Sequence, residues 1–317
     1  MTRRDLLLGA GAASLAPLLP ALAADIKAPD WKIKARRNLR LGVFTHTYSR
    51  LPVADAARRI RADGFHSAVL EYEFADVHFD PLAPDWSAAS KITAAFEKAQ
   101  VRIAALAAYY NVVDPDQARR QHGEQRMRSL LTNWKRLGSP IVCTETGTLN
   151  EKSEWVESPD NYTDAAYAQC RDVFAALASH AHAAGATLAI EPYWRNVIDS
   201  AARAEKLFKD VASPALQLVM DPCNYYRNSD LPNMAPMLRD IFRRVGSHTV
   251  IAHAKDVKAT PTGQDLPAAG LGVMDYPVFL GLLARLDKPL DLIIEHLELD
   301  DVPRARDYVL AQFDKIV

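Results

Sequence analysis

Apolar strand-like runs alternate with amphipathic helical stretches along nearly the whole chain, which predicts an α/β protein built as a single (β/α)8 TIM barrel. Two further observations point the same way. Four of the apolar runs end on a potential metal ligand: Thr187-Leu-Ala-Ile-Glu191, Leu216-Gln-Leu-Val-Met-Asp221, Thr249-Val-Ile-Ala-His253 and Leu290-Asp-Leu-Ile-Ile-Glu295. Their tips stand 30, 32 and 42 residues apart, one per strand-helix unit if eight units in roughly 250 residues take about 31 residues each. A closed barrel turns the C-terminal ends of its strands to one mouth, so ligands distant in sequence would meet there.

The elements follow in order. Residues 1–23 read as an export signal, 24–38 as a polar, basic linker and 39–317 as the barrel. Leu39–Thr45 is the expected first strand, with His46 just beyond it as a pocket or hydrogen-bonding residue, and Val53–Asp63 the first helix, stopped by Gly64. Ser67–Glu71 is the second strand; Glu71 at its tip could accept a sugar hydroxyl or pair with an arginine. Lys91–Gln100 forms the second helix, and Val101–Ala107 the third strand, running out into Tyr109 and Tyr110 at the mouth.

Gln117–Leu137 places Met127, Leu130, Leu131, Trp134 and Leu137 on one helical face, leaving its arginines to solvent. Pro140–Glu145 is the fourth strand, with Glu145 at its tip. The long polar loop that follows, carrying Trp155, is expected to act as a lid or specificity element. An Ala-rich helix, Thr163–Ala184, leads to the strand ending on Glu191, after which Tyr193 and Trp194 suggest an aromatic wall or packing under the loop. Helices at 199–211, 231–245, 276–286 and 302–313 complete the alternation.

Three carboxylates and one imidazole make an oxygen-rich set with a single nitrogen, suited to one divalent ion. Mn²⁺ is favoured, with Mg²⁺, Co²⁺ and Zn²⁺ as alternatives. Singly, an acidic strand end is often a solvated loop residue or a helix cap. Here all four interrupt apolar runs, where charge is rarely tolerated unless paired or metal-bound. Cys143, Cys170 and Cys223 are too few and scattered for a disulfide framework or a zinc-cysteine motif, and Cys143 and Cys223, at strand ends, read as small buried side chains.

With 317 residues, 49% hydrophobic and 24% charged, the chain suits one large core. A formal charge of −1 provides no basic surplus for phosphates, so nucleic acid is not expected as a partner. There is no Gly-rich phosphate loop of the nucleotide-binding type, since Gly9-Ala-Gly11 lies in the signal. There, Arg3 and Arg4 precede an Ala/Leu-rich run and the small-residue pattern Ala21-Leu-Ala23, which resembles a twin-arginine signal for periplasmic export. The run holds Pro17 and Pro20 and is short for a membrane span, so no span is expected once the signal is cleaved.

Glu191-Pro, Asp221-x-x-Asn224, His253-x-Lys255-Asp256 and the final-strand Glu295 resemble the xylose-isomerase-like TIM barrel superfamily, in its sugar phosphate isomerase/epimerase branch, which includes D-tagatose 3-epimerase. The resemblance runs from about Leu39 to the end. It implies that Glu191, Asp221, His253 and Glu295 bind one metal ion and that Glu191 and Glu295 serve as acid and base. Such a site would epimerise or isomerise a keto-sugar or keto-glycoside through an enediolate. His46, Glu71, Tyr109, Glu145, Tyr193, Trp194, Asn224 and Lys255 would line the sugar site. Lys255 could steer a hydroxyl, stabilise an anionic intermediate, or simply pair with Asp256. The sequence departs from several epimerases at Asn224, where they carry histidine.

The expected partner is a small-molecule sugar, and a homo-oligomer is compatible with the sequence. The alternative enzymatic reading is a lyase that expels the aglycone from a 3-keto-glycoside. A non-catalytic sugar-binding barrel would keep the ligands without needing the acid/base pair. A base-excision endonuclease would need further histidines that the third strand and the Asp221 motif lack.

Overall fold

The computed structural model describes residues 30–261 and 263–316. The expected signal peptide lies outside them. Eight strands close a parallel barrel: β1 (Leu39–Phe44), β2 (Ser67–Leu70), β5 (Arg102–Ala107), β6 (Ile141–Glu145), β7 (Thr187–Glu191), β8 (Leu216–Met220), β9 (Thr249–Ala254) and β12 (Leu290–Ile294). Closure is made by β1 pairing with both β2 and β12. Short antiparallel hairpins interrupt the pattern at β3–β4 (Glu73–Phe74 and Val77–His78) and β10–β11 (Lys258–Thr260 and Gly263–Asp265). Strands of two or three residues leave no periodicity to read, which is why the sequence did not announce them.

Helices α2 (Val53–Ala62), α3 (Trp86–Lys98), α4 (Gln117–Leu137), α5 (Asp164–Ala184), α6 (Ala201–Val211), α7 (Met234–Val245), α8 (Tyr276–Arg285) and α9 (Val302–Gln312) cover the barrel. Side-chain oxygens cap five of them: Asp116, Thr163, Ser200 and Asp275 accept from the backbone N–H three residues on, and Asp85 accepts from Ser87. The Asp85 cap moves the start of α3 five residues ahead of the expected Lys91. None of these helices is long and apolar enough to cross a membrane.

The stretch read as a linker holds a helix, α1 (Trp31–Asn38), set against α8 and the C-terminal turn. Its apolar residues are too sparse to show a helical face in sequence. It is fixed instead by the fully buried Ala35, by cation–π contacts of Trp31 with Lys34 and Arg285, and by ion pairs from Lys34 to Asp287 and from Arg36 to Asp314.

The barrel interior is layered. A small apolar cluster separate from the main core contains Phe44, Val69, Ala107, Cys143, Ala189, Val219, Ile251 and Ile293, one from each strand. Gly42 belongs to this crowding, because a Cβ there would stand 2.6 Å from Ile293 Cδ1 and 2.5 Å from Ser67 Oγ. Two residues beyond each cluster member, on the same side of the strand by the period-two pleat, come His46, Glu71, Tyr109, Glu145, Glu191, Asp221, His253 and Glu295. The apolar plug thus aims one polar side chain per strand at the mouth.

At the opposite end Asp291, 2% exposed, pairs with Arg40 and Arg102 from other strands. Asp291→Ala is expected to cost about 2 kcal/mol, less than the ~3–5 kcal/mol of a fully buried pair because both guanidinium groups reach water. A urea denaturation midpoint equal to that of wild type would show that the pair contributes nothing.

Candidate metal centre

Glu191, Asp221, His253 and Glu295 each offer a ligand atom, and these atoms all lie within 4.8 Å of one another. All four side chains are buried. His253 Nδ1 is central, 3.4 Å from Glu191 Oε1, 3.6 Å from Glu295 Oε2 and 3.9 Å from Asp221 Oδ2. The Phe44 ring meets the imidazole edge-on at a centroid distance of 5.3 Å.

The cluster has the marks of a cation site. Neither nitrogen of the buried His253 has a hydrogen-bond partner among the described residues. Buried polar atoms are seldom left in that state without a reason. Three carboxylate oxygens and one imidazole nitrogen at these separations fit a divalent ion with mixed O/N ligation.

Lys255 complicates this picture. It lies two residues beyond His253, is 5% exposed, and places Nζ 2.7 Å from Asp221 Oδ2 and 2.8 Å from Glu295 Oε1. The pairing with Asp256 considered from sequence is not made. Asp256 instead accepts from the backbone N–H groups of Val257, Gly270 and Met274, tying down the loop after β9. The Lys255 carbonyl is held by Tyr276 Oη–H at 2.9 Å, which fixes the ammonium's approach.

Charge regulation follows from this packing. Burial alone would raise Glu295, but Lys255 and then His253 hold its carboxyl down at about 2. Burial would lower His253, yet Glu191 and Glu295 lift it to about 9. Burial raises Asp221 despite Lys255. Lys255 itself is held above its ordinary range by Asp221 and Glu295, against burial that would lower it.

Glu191 is fixed at both oxygens: Asn224 Nδ2 donates to Oε1 at 2.7 Å and Tyr109 Oη to Oε2 at 2.9 Å. Asn224 and Tyr109, both expected at the sugar site, therefore orient the glutamate. Glu145, paired in register with Glu191, is half-buried, and its carboxyl is pushed well above the usual range by burial and then by Glu191.

His46 and Glu71 face each other, Nδ1 to Oε2 at 2.7 Å, so Glu71 pairs with a histidine rather than an arginine. The two adjacent tyrosines diverge. Tyr109 turns to the site, while Tyr110 packs on Gly123 of α4, where a Cβ would come within 2.2 Å of its ring. Trp194 lies between the guanidinium groups of Arg195 and Arg227, both 4.7 Å from its ring, and donates to Gln264. It supports the loops, with the buried Tyr193 edge-on beside it. Trp155 is exposed, next to Tyr109 and Glu145, on a loop anchored by the buried Asn161.

Two residues escaped the sequence reading. Tyr225 is 2% exposed, its hydroxyl has no partner, and its pKa is raised by burial and then by Asp221 and Glu191. His296 follows Glu295 with a left-handed backbone (φ 57°) and sets Nδ1 against the Leu266 carbonyl. Their adjacency to ligand-bearing strand ends was the available signal. All three cysteines are buried, Cys143 and Cys223 as expected.

Comparison with known proteins completes the picture. Among solved structures, a D-tagatose 3-epimerase-like protein aligns at 16% identity, covering 87% of this chain and 98% of its own, with a TM-score of 0.68. A xylose isomerase-like TIM barrel protein from Mycobacterium smegmatis in complex with magnesium aligns at 17% identity, covering 89% and 98%, with a TM-score of 0.63. The 3-keto-D-glucoside 4-epimerase of E. coli aligns at 15% identity, covering 86% and 99%, with a TM-score of 0.62. At such identities the likeness establishes the fold. None of the curated proteins matches significantly. Residues 56–309 match a family described as the xylose isomerase-like TIM barrel, and with most of the barrel spanned by that match, the chain belongs to this family.

Proposed function

We propose that this protein is a metal-dependent epimerase or isomerase of a keto-sugar or keto-glycoside, working in the periplasm after export. The observation that carries the reading is the placement of Glu191 and Glu295 on β7 and at the tip of β12, either side of His253 in one buried cluster. The epimerases among the structural neighbours support the reaction class. The oxygen-rich ligand set favours Mn²⁺ or Mg²⁺.

When bound, the divalent ion supplies electrostatic stabilisation for the negative charge that builds on the substrate oxygens as a neighbouring C–H loses its proton. Glu191, oriented by Asn224 and Tyr109, carries a proton on one face of the sugar carbon, and Glu295 carries one on the other. Asp221 and His253 hold the ion. Lys255 places a fixed positive charge beside the oxygens that become anionic. Glu145, its carboxyl shifted upward by burial and then by Glu191, offers a hydrogen-bonding group to a sugar oxygen.

The test is incubation of the manganese-loaded protein with a panel of keto-sugars and 3-keto-glycosides in D₂O, followed by NMR. Solvent deuterium at the carbon next to the ketone, with mass otherwise conserved, is the expected result. Release of an aglycone with an unsaturated sugar would replace epimerisation by elimination. Binding with no exchange in any substrate would leave a sugar-binding barrel.

A further inference from the structure

A cleft of about 400 Å³ adjoins the metal centre, and no residue assigned so far accounts for it. It shares two walls with the site: Tyr109, whose hydroxyl binds Glu191, and Glu71, which binds His46. The β3–β4 hairpin and the segment after it form the far side, including His78 and Asp80. Its volume falls in the range of pockets that enclose a small ligand.

Two groups in it lack partners. Tyr72 is 7% exposed and its hydroxyl makes no hydrogen bond. Arg126 of α4 is half-buried in the cleft and forms no ion pair or hydrogen bond among the described residues, whereas Arg119 and Arg128 on the same helix both pair with acids. Arg126 thus departs from the expectation that the arginines of this helix are left to solvent, and does so without an acidic partner. Its charge acts on the Tyr72 phenol.

The polar lining indicates what would fit. Glu71, Glu73 and Asp80 outnumber Arg126, so a carboxylate or phosphate would meet net repulsion. Those acids accept hydrogen bonds from hydroxyl groups, Arg126 and Tyr72 can donate to ring and hydroxyl oxygens, and the half-buried Tyr109 ring suits an apolar sugar face. A neutral polyhydroxylated ring uses all three kinds of contact. A second hollow, on the His46 side, is lined by residues of the β1 and β12 loops, with His46, His296, Glu298 and Asp300 exposed, and presents no such buried unsatisfied group.

Building on the reading above, we propose that this cleft binds the second sugar ring of a glycoside, so that the substrate is a keto-disaccharide rather than a free keto-sugar. In a 3-keto-glycoside the glycosidic carbon lies two carbons from the ketone, which lets the second ring leave the metal centre sideways toward Tyr109 and Glu71.

The test is calorimetric binding of a free keto-hexose and of the 3-keto-disaccharide containing it to the manganese-loaded full chain, alongside deuterium exchange with both. The disaccharide is expected to bind at least about tenfold tighter. Arg126→Ala, Arg126→Gln and Tyr72→Phe are each expected to reduce that ratio about threefold or more. A ratio near one in wild type, or one unchanged in all three variants, overturns the cleft assignment. Exchange without disaccharide preference would sink this proposal alone, and preference without exchange would support it while sinking the proposed reaction.

Discussion

Glu295→Gln is expected to slow deuterium exchange into a bound ketose by about 10³-fold, within the range ascribed to a positioned acid/base group and equivalent to about 4 kcal/mol of transition-state stabilisation. The amide keeps an oxygen for the metal but cannot carry the proton. The fold should survive, for a reason visible in the apo charge balance. Three acids, Glu191, Asp221 and Glu295, pack against two bases, Lys255 and His253, and replacing one acid by its amide evens the count. Asp221→Asn is the matched control, since it removes the same charge from a ligand without an acid/base role. Its exchange rate should recover when metal is raised to saturation, whereas that of Glu295→Gln should not. Equal recovery in both would reduce Glu295 to a ligand and return the acid/base assignment to Glu191 alone.

How much of this was legible in sequence depended on the length scale of each signal. The barrel strands were readable because each is a run of four to six residues, mostly apolar, set between helices, and the four ligands because each breaks such a run with charge. The pleat extends that logic. Every barrel strand carries an interior apolar residue two places before a mouth residue, so His46, Glu71, Tyr109 and Glu145, read in sequence as residues at or just past strand tips, follow the same two-residue offset as the ligands.

Partners were less legible. Lys255 pairs across strands with Asp221 and Glu295, while its chain neighbour Asp256 caps loop amides, and nothing local separates those fates. Trp194 supports a loop because two arginines converge on it, one of them 33 residues away. The α1 helix, the two hairpins and the cleft around Arg126 arise from tertiary packing of short or polar segments, which leave no periodic trace.

Metal binding is expected to release a proton and to tighten about tenfold per pH unit below pH 9. The cause is His253. Its imidazolium is stabilised by Glu191 and Glu295 against burial, so that its pKa lies at about 9 in the metal-free fold, up from 6.5. A metal ligand must be the neutral ring, so at pH 7 the ion competes with a proton that is almost fully bound. The sign is fixed by the raised pKa. Protonated His253 stabilises the metal-free fold fully below pH 6.5, and that stabilisation is lost as pH rises through 9. The Tm difference between manganese-saturated and EDTA-treated protein should therefore widen from pH 6.5 to 8.5, with affinity rising about a hundredfold, or about 2.7 kcal/mol. Calorimetry in buffers of different ionisation enthalpy should count close to one proton released at pH 7. His253→Gln should bind metal more weakly and without this pH slope. Affinity that is flat between pH 6.5 and 8.5, with no proton released, would mean that the ring is already neutral in the metal-free fold and would overturn this account.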